Sequence, residues 1–69
     1  MKDIISKREQ EVLELISLGY IDKEIASILY LSLNTVKTHR KSVIEKLACR
    51  NAPASVRKAF ELQILPLAI

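Results

Sequence analysis

Apolar residues recur every three or four positions in this chain, with polar residues between them, in four successive blocks. That spacing predicts helices with one buried stripe each, and no segment reads convincingly as a strand. The first block opens at Ser6 with Glu9 three residues on, the spacing of a capping box. It turns Val12, Leu15 and Ile16 inward, keeps Leu13 on the flank, and runs to about Leu18, where Gly19 closes it. The second starts near Asp22, which is expected to cap the free backbone N–H groups. Ile25, Ile28 and Leu29 form its stripe, and Ala26 is small where a following helix can cross closely. Tyr30 and Leu31 make the turn. Ser32 caps a third helix whose Val36, Val43 and Leu47 fall at i, i+7 and i+11, with Ile44 widening the stripe. Arg40 falls on this apolar line and must either snorkel to solvent or sit at the edge of the packing. The fourth helix is expected near Pro53, whose fixed φ suits a first helical position. Val56, Ala59, Phe60 and Leu62 are its apolar residues, and Pro66 lies beyond its end.

The pattern predicts an all-α four-helix bundle containing a helix-turn-helix. Sixty-nine residues make one domain, residues 1–69, with a modest core. The helix-turn-helix core is expected over residues 22–41 and the fourth helix over about 53–63.

Charge sharpens this picture. The net +3 divides unevenly: residues 1–30 carry four cations against six carboxylates, residues 31–69 seven against two. Five cations lie between Lys37 and Arg50, opposed only by Glu45, which suggests an anionic partner for one face. The side of the third helix away from its stripe holds Asn34, Lys37, Thr38, Lys41 and Glu45. A helix-turn-helix places its second helix in the major groove of duplex DNA. Lys37 and Lys41, one turn apart, can donate to guanine O6 and N7, and Thr38 can offer its hydroxyl or its methyl group. Ser32, Asn34 and Thr35, beside the free N–H groups of the helix start, can hold a phosphate, as can Lys23 at the start of the second helix. The plain alternative is a helical bundle with a solvated lysine face. Tyr20, Tyr30 and Phe60 are too few to build stacking platforms for single strands.

Other chemistry finds little to rest on. His39 and Cys49 are too few for a metal site. No activated nucleophile, Gly-rich phosphate loop or substrate cleft is evident, so neither an enzyme, a cofactor nor a small-molecule ligand is expected. The lone Cys49 excludes an intramolecular disulfide, the apolar runs are short of a membrane span, and charges interrupt any secretory signal. A cytoplasmic location is the expectation. The C-terminal Phe60, Leu62, Ile64, Leu65, Leu67 and Ile69 offer either a completed monomer core or a surface for a weak two-fold homodimer. A rival reading uses that same surface to heterodimerise with, and inhibit, a full-length regulator.

The segments KREQEVLELI, KEIASIL and LSLNTVKTHRKSVIEKL, in this order and spacing, resemble the LuxR-type (also NarL- or GerE-type) helix-turn-helix domain of bacterial transcription regulators. The resemblance covers about Ile5 to Leu65. It implies a four-helix DNA-binding output module, found in response regulators and quorum-sensing receptors or standing alone, with double-stranded DNA and RNA polymerase as candidate partners. It implies base contacts at Lys37, Thr38 and Lys41, backbone contacts at or near Lys23, Ser32, Thr35 and His39, and a dimerisation helix from Val56 to Gln63 that includes Ala59 and Phe60. Four positions depart from the family pattern. Ile21 replaces a polar cap, which moves the expected cap to Asp22. Ala52-Pro53-Ala54 replaces a Thr or Ser start, Gln63 replaces a closing Gly, and Arg40 occupies an often apolar position, where it adds a phosphate contact.

Overall fold

The computed structural model describes residues 5–65, which form four helices and, among the described residues, no strand. They are α1 (Lys7–Ser17), α2 (Asp22–Leu29), α3 (Leu33–Lys46) and α4 (Ala52–Glu61). Pro66, Leu67 and Ile69 lie outside the described residues.

Each helix start follows from a local side chain. At α1 the capping box forms: the Glu9 N–H donates to Ser6 Oγ at 3.1 Å, and the Ser6 N–H donates to Glu9 Oε1 at 2.8 Å. At α3 the Thr35 N–H donates to Ser32 Oγ at 3.1 Å. The other two starts correct the expectation. Asp22 does not cap α2; it is the first helical residue, and Ile21 holds the cap position. Half a box remains there, because the Ile21 N–H donates to Glu24 Oε1 at 2.9 Å. Helix α4 starts at Ala52, one residue before Pro53, since Asn51 caps it by accepting from the Ala54 N–H at 2.9 Å.

The four helices end alike. Gly19, Tyr30, Ala48 and Gln63 all take positive φ, at 95°, 56°, 56° and 60°. After each, the next N–H reaches back to close the last turn: Tyr20 to Leu15, Leu31 to Ala26, Cys49 to Ile44 and Ile64 to Ala59. This is the Schellman arrangement, and only one of the four uses the residue best suited to it.

Two apolar clusters form the core. Ile5, Leu13, Val43, Leu47, Ala59 and Leu65 join α1, the second half of α3, and α4. Val12, Ile25 and Val36 join α1, α2 and the first half of α3, with Leu15, Ile16, Ala26, Leu29 and Leu31 partly buried around them. Leu13 is therefore a core residue rather than a flanking one, and Leu15 and Ile16 pack only partly. Ile28 and Leu62, both expected to face inward, are each 44% exposed. Short helices bury a narrow stripe, and these two residues fall on its edge. The outcome is that α3 is held along its length, by α2 near its start and α4 near its end, with α1 behind both.

Candidate nucleic-acid interface

Burying Val36 and Val43 fixes the rotation of α3 and sends the residues between them outward. Ser32, Asn34, Lys37, Thr38 and Lys41 are all exposed, and Thr35 and His39 are half-buried. The helix start is ordered by more than its cap, because the Ser32 and Thr35 hydroxyls also share a hydrogen bond of 2.8 Å. The Thr38 hydroxyl donates to the Asn34 carbonyl at 2.9 Å. Its proton is committed, so toward a ligand Thr38 presents an acceptor lone pair and a methyl group.

Arg40 reaches out of the apolar stripe to α2, where its Nη1 group donates to Asp22 Oδ2 at 2.9 Å. The pair ties the middle of α3 to the first residue of α2. Lys23, exposed on the first turn of α2, shares one cleft with Lys37 and Arg40. The fold thus brings Lys23, Lys37 and Arg40 together, although 14 positions separate Lys23 from Lys37 in sequence.

A cationic, polar helix face, capped at its exposed N-terminus and braced from behind by a second helix, is the geometry of a helix-turn-helix. Residues 3–59 match the family described as bacterial regulatory proteins, luxR family. The chain belongs to the luxR family. It is a DNA-binding, transcription-regulating domain, and the family is not enzymatic. Oxygen regulatory protein NreC of Staphylococcus carnosus (strain TM300) is 42% identical over 62 residues, 90% of this chain. The protein of the same name from Staphylococcus aureus (strain JH9) is equally similar. The chain spans 29% of the length of these relatives. The solved structure of the transcription factor GerE superposes with a TM-score of 0.92 at 27% identity, covering 97% of this chain and all of that one.

Within this luxR-family domain, the residues expected to pair two copies are placed unevenly. Val56 and Phe60 are half-buried against the core, and Gln63 is exposed at the helix end. Ala59 is 0% exposed, packed in the core, and has no surface to offer a second copy. The outward side of α4 is instead Pro53, Arg57 and Glu61, the last two forming an ion pair of 3.4 Å. Among the described residues, no group of three or more His, Cys, Asp or Glu is placed to hold a metal ion.

Two features escape a reading of the sequence. Glu9 is more than a cap. It is buried, its Oε2 accepts from Ser42 Oγ at 2.6 Å, and its Oε1 accepts from Lys46 Nζ at 2.8 Å. Burial pushes its pKa up, but the hydrogen bonds from Lys46, Ser42 and the Ser6 N–H, with the Lys46 charge, overcome this and hold it at about 2. Lys46, though exposed, therefore has its charge taken up by Glu9. The second feature is Arg50, exposed in the α3–α4 turn beside Lys37 and Lys41. The run of cations from Lys37 to Arg50 signalled Arg50, but only the fold shows which of those cations share a surface.

Proposed function

We propose that two copies of this domain bind a roughly palindromic duplex, each laying α3 in the major groove. The exposed face of α3 carries the reading: Lys37, Thr38 and Lys41 stand together, with no carboxylate between them, opposite the buried Val36 and Val43. Lys37 and Lys41 donate to base edges, and Thr38 meets a base through its methyl group or as an acceptor. Ser32, Asn34 and Thr35 at the start of α3, with Lys23 on α2, hold backbone phosphates. His39 and Arg40 sit at the edges of this footprint, Arg40 with the guanidinium nitrogens that Asp22 does not occupy. The second copy pairs through the outward side of α4 and the rims of Val56, Phe60 and Gln63.

Selection from a pool of random duplexes at low and moderate salt tests this. The expected result is an enriched two-fold symmetric motif. Repeating the selection with Lys41→Ala should relax the preference at one base pair per half-site, at a cost of about 1–3 kcal/mol in specific binding. Retention with no enriched sequence would reduce the domain to a nonspecific basic surface. No retention at either salt would shift attention to protein partners of α4.

A further inference from the structure

Helix α3 stands as a ridge between two clefts. The cleft on the α2 side, about 460 Å³, mixes Lys23 and Asp22 with the apolar Ile16, Tyr20 and Ile21. The cleft on the α4 side, about 380 Å³, is lined by Lys37, Arg40, Lys41 and Arg50 and by the start of α4, with no carboxylate among its lining residues. The two clefts share Lys37 and Arg40, but the Arg40 guanidinium is drawn to Asp22 on the α2 side. Arg50 is thus the cation that the α4-side cleft adds to the reading face. The ion pairs among the described residues do not involve it, and it is exposed.

An α-helix with its side chains is roughly 10–12 Å across, close to the roughly 12 Å width of the major groove. A helix seated there brings the sugar-phosphate backbones of both strands against its two flanks. From this geometry we propose that the α4-side cleft is a phosphate clamp. Arg50 takes the backbone of one strand, while Lys23 on the other flank takes the opposite strand. The proposal rests on the reading that α3 enters the major groove. It adds a contact from the α3–α4 turn, outside the helix-turn-helix core. The α4-side strand meets the more uniformly positive cleft and is held the more tightly of the two.

The test uses the duplex enriched in the selection above, titrated over a series of salt concentrations, with Arg50→Gln, Arg50→Lys and the control Arg8→Gln. Arg8 is an exposed α1 cation paired with Glu11, and its replacement removes the same net charge. Arg50→Gln is expected to weaken binding several-fold and to lower the slope of log affinity against log salt by about 0.9, one phosphate's share. The preferred sequence should not change, Arg50→Lys should keep most of the slope, and phosphate-ethylation interference should vanish at a position on one strand only. An unchanged slope, a loss no greater than that of Arg8→Gln, or an altered base preference overturns the clamp and leaves the major-groove reading intact. Failure of the parent chain to bind any duplex overturns both.

Discussion

Glu9 shows what one residue can do in a chain this small. Its first role was legible, because Ser6 and Glu9 are three positions apart and a capping box is a local pattern. Its second was not, because Ser42 and Lys46 lie 33 and 37 positions away and only the fold brings them to it. The same holds for Arg40, recognisable as a misfit on an apolar stripe, whose partner Asp22 is 18 positions distant. The Glu9 network fastens the N-terminus of α1 to the C-terminal half of α3, the helix that carries the exposed cationic face. Its folded pKa of about 2 lies below the ordinary 4.5, so its contribution to stability is present above pH 4.5 and is lost as pH falls toward 2. A shift of that size corresponds to stabilisation on the order of 3 kcal/mol at neutral pH. Glu9→Gln should therefore unfold at lower urea concentration at pH 7 and converge with the parent as the pH approaches 2. A gap that did not close in acid would assign the loss to packing rather than to charge.

At the scale of elements, periodicity was a good guide to which segments are helical and a poor guide to where they stop. Four helices were legible because their apolar positions recur with the helical period. Their ends were legible at Gly19 and at the Tyr30–Leu31 turn. Tyr30, Ala48 and Gln63 adopt the same left-handed conformation without being glycine, and a sequence gives no warning of that. Tyr30 does so while 95% exposed, so no packing of its side chain explains the choice. The chain closes these turns because the backbone hydrogen bonds and the neighbouring core residues require it. Such positions hold removable strain. Ala48 is exposed, and its left-handed conformation is one that glycine adopts freely. Ala48→Gly should stabilise the domain by up to about 1 kcal/mol, after the greater freedom that glycine gives the unfolded chain. In a domain of this size that is a rise in Tm of about 4–8 °C. A lower Tm would mean that the α3–α4 turn does not hold the left-handed conformation in solution.

At the scale of the whole molecule, the question is how strongly two copies can hold together. A stable interface covers roughly 800 Å² on each partner, a burial of about 1,600 Å² in all. The share of about 800 Å² per partner is about a sixth of the domain's total surface of 5034 Å². Helix α4 has ten residues, about 15 Å of length, and its inner side is spent on the core at Ala52, Ser55 and Ala59. What it leaves outside is Pro53, Arg57, Glu61, the exposed Leu62, and the rims of Val56 and Phe60, a narrow and largely charged face. The Arg57–Glu61 pair is exposed and adds little by itself. The proposed pairing through α4 is therefore expected to be weak alone and to be completed on a duplex with two half-sites, which holds both copies at high effective concentration. The surplus of C-terminal apolar residues suggested a pairing surface, yet Leu65 completes the monomer core and Phe60 and Ile64 pack against it. Sedimentation equilibrium should accordingly find a monomer at micromolar concentration, and two protomers per duplex once a two-half-site DNA is added. Arg57→Glu, which turns a paired face of two cations and two carboxylates into one of four carboxylates, should abolish the second step while leaving single half-site binding in place. A stable dimer without DNA, or two independent binding events of equal affinity on the double site, would count against pairing through α4.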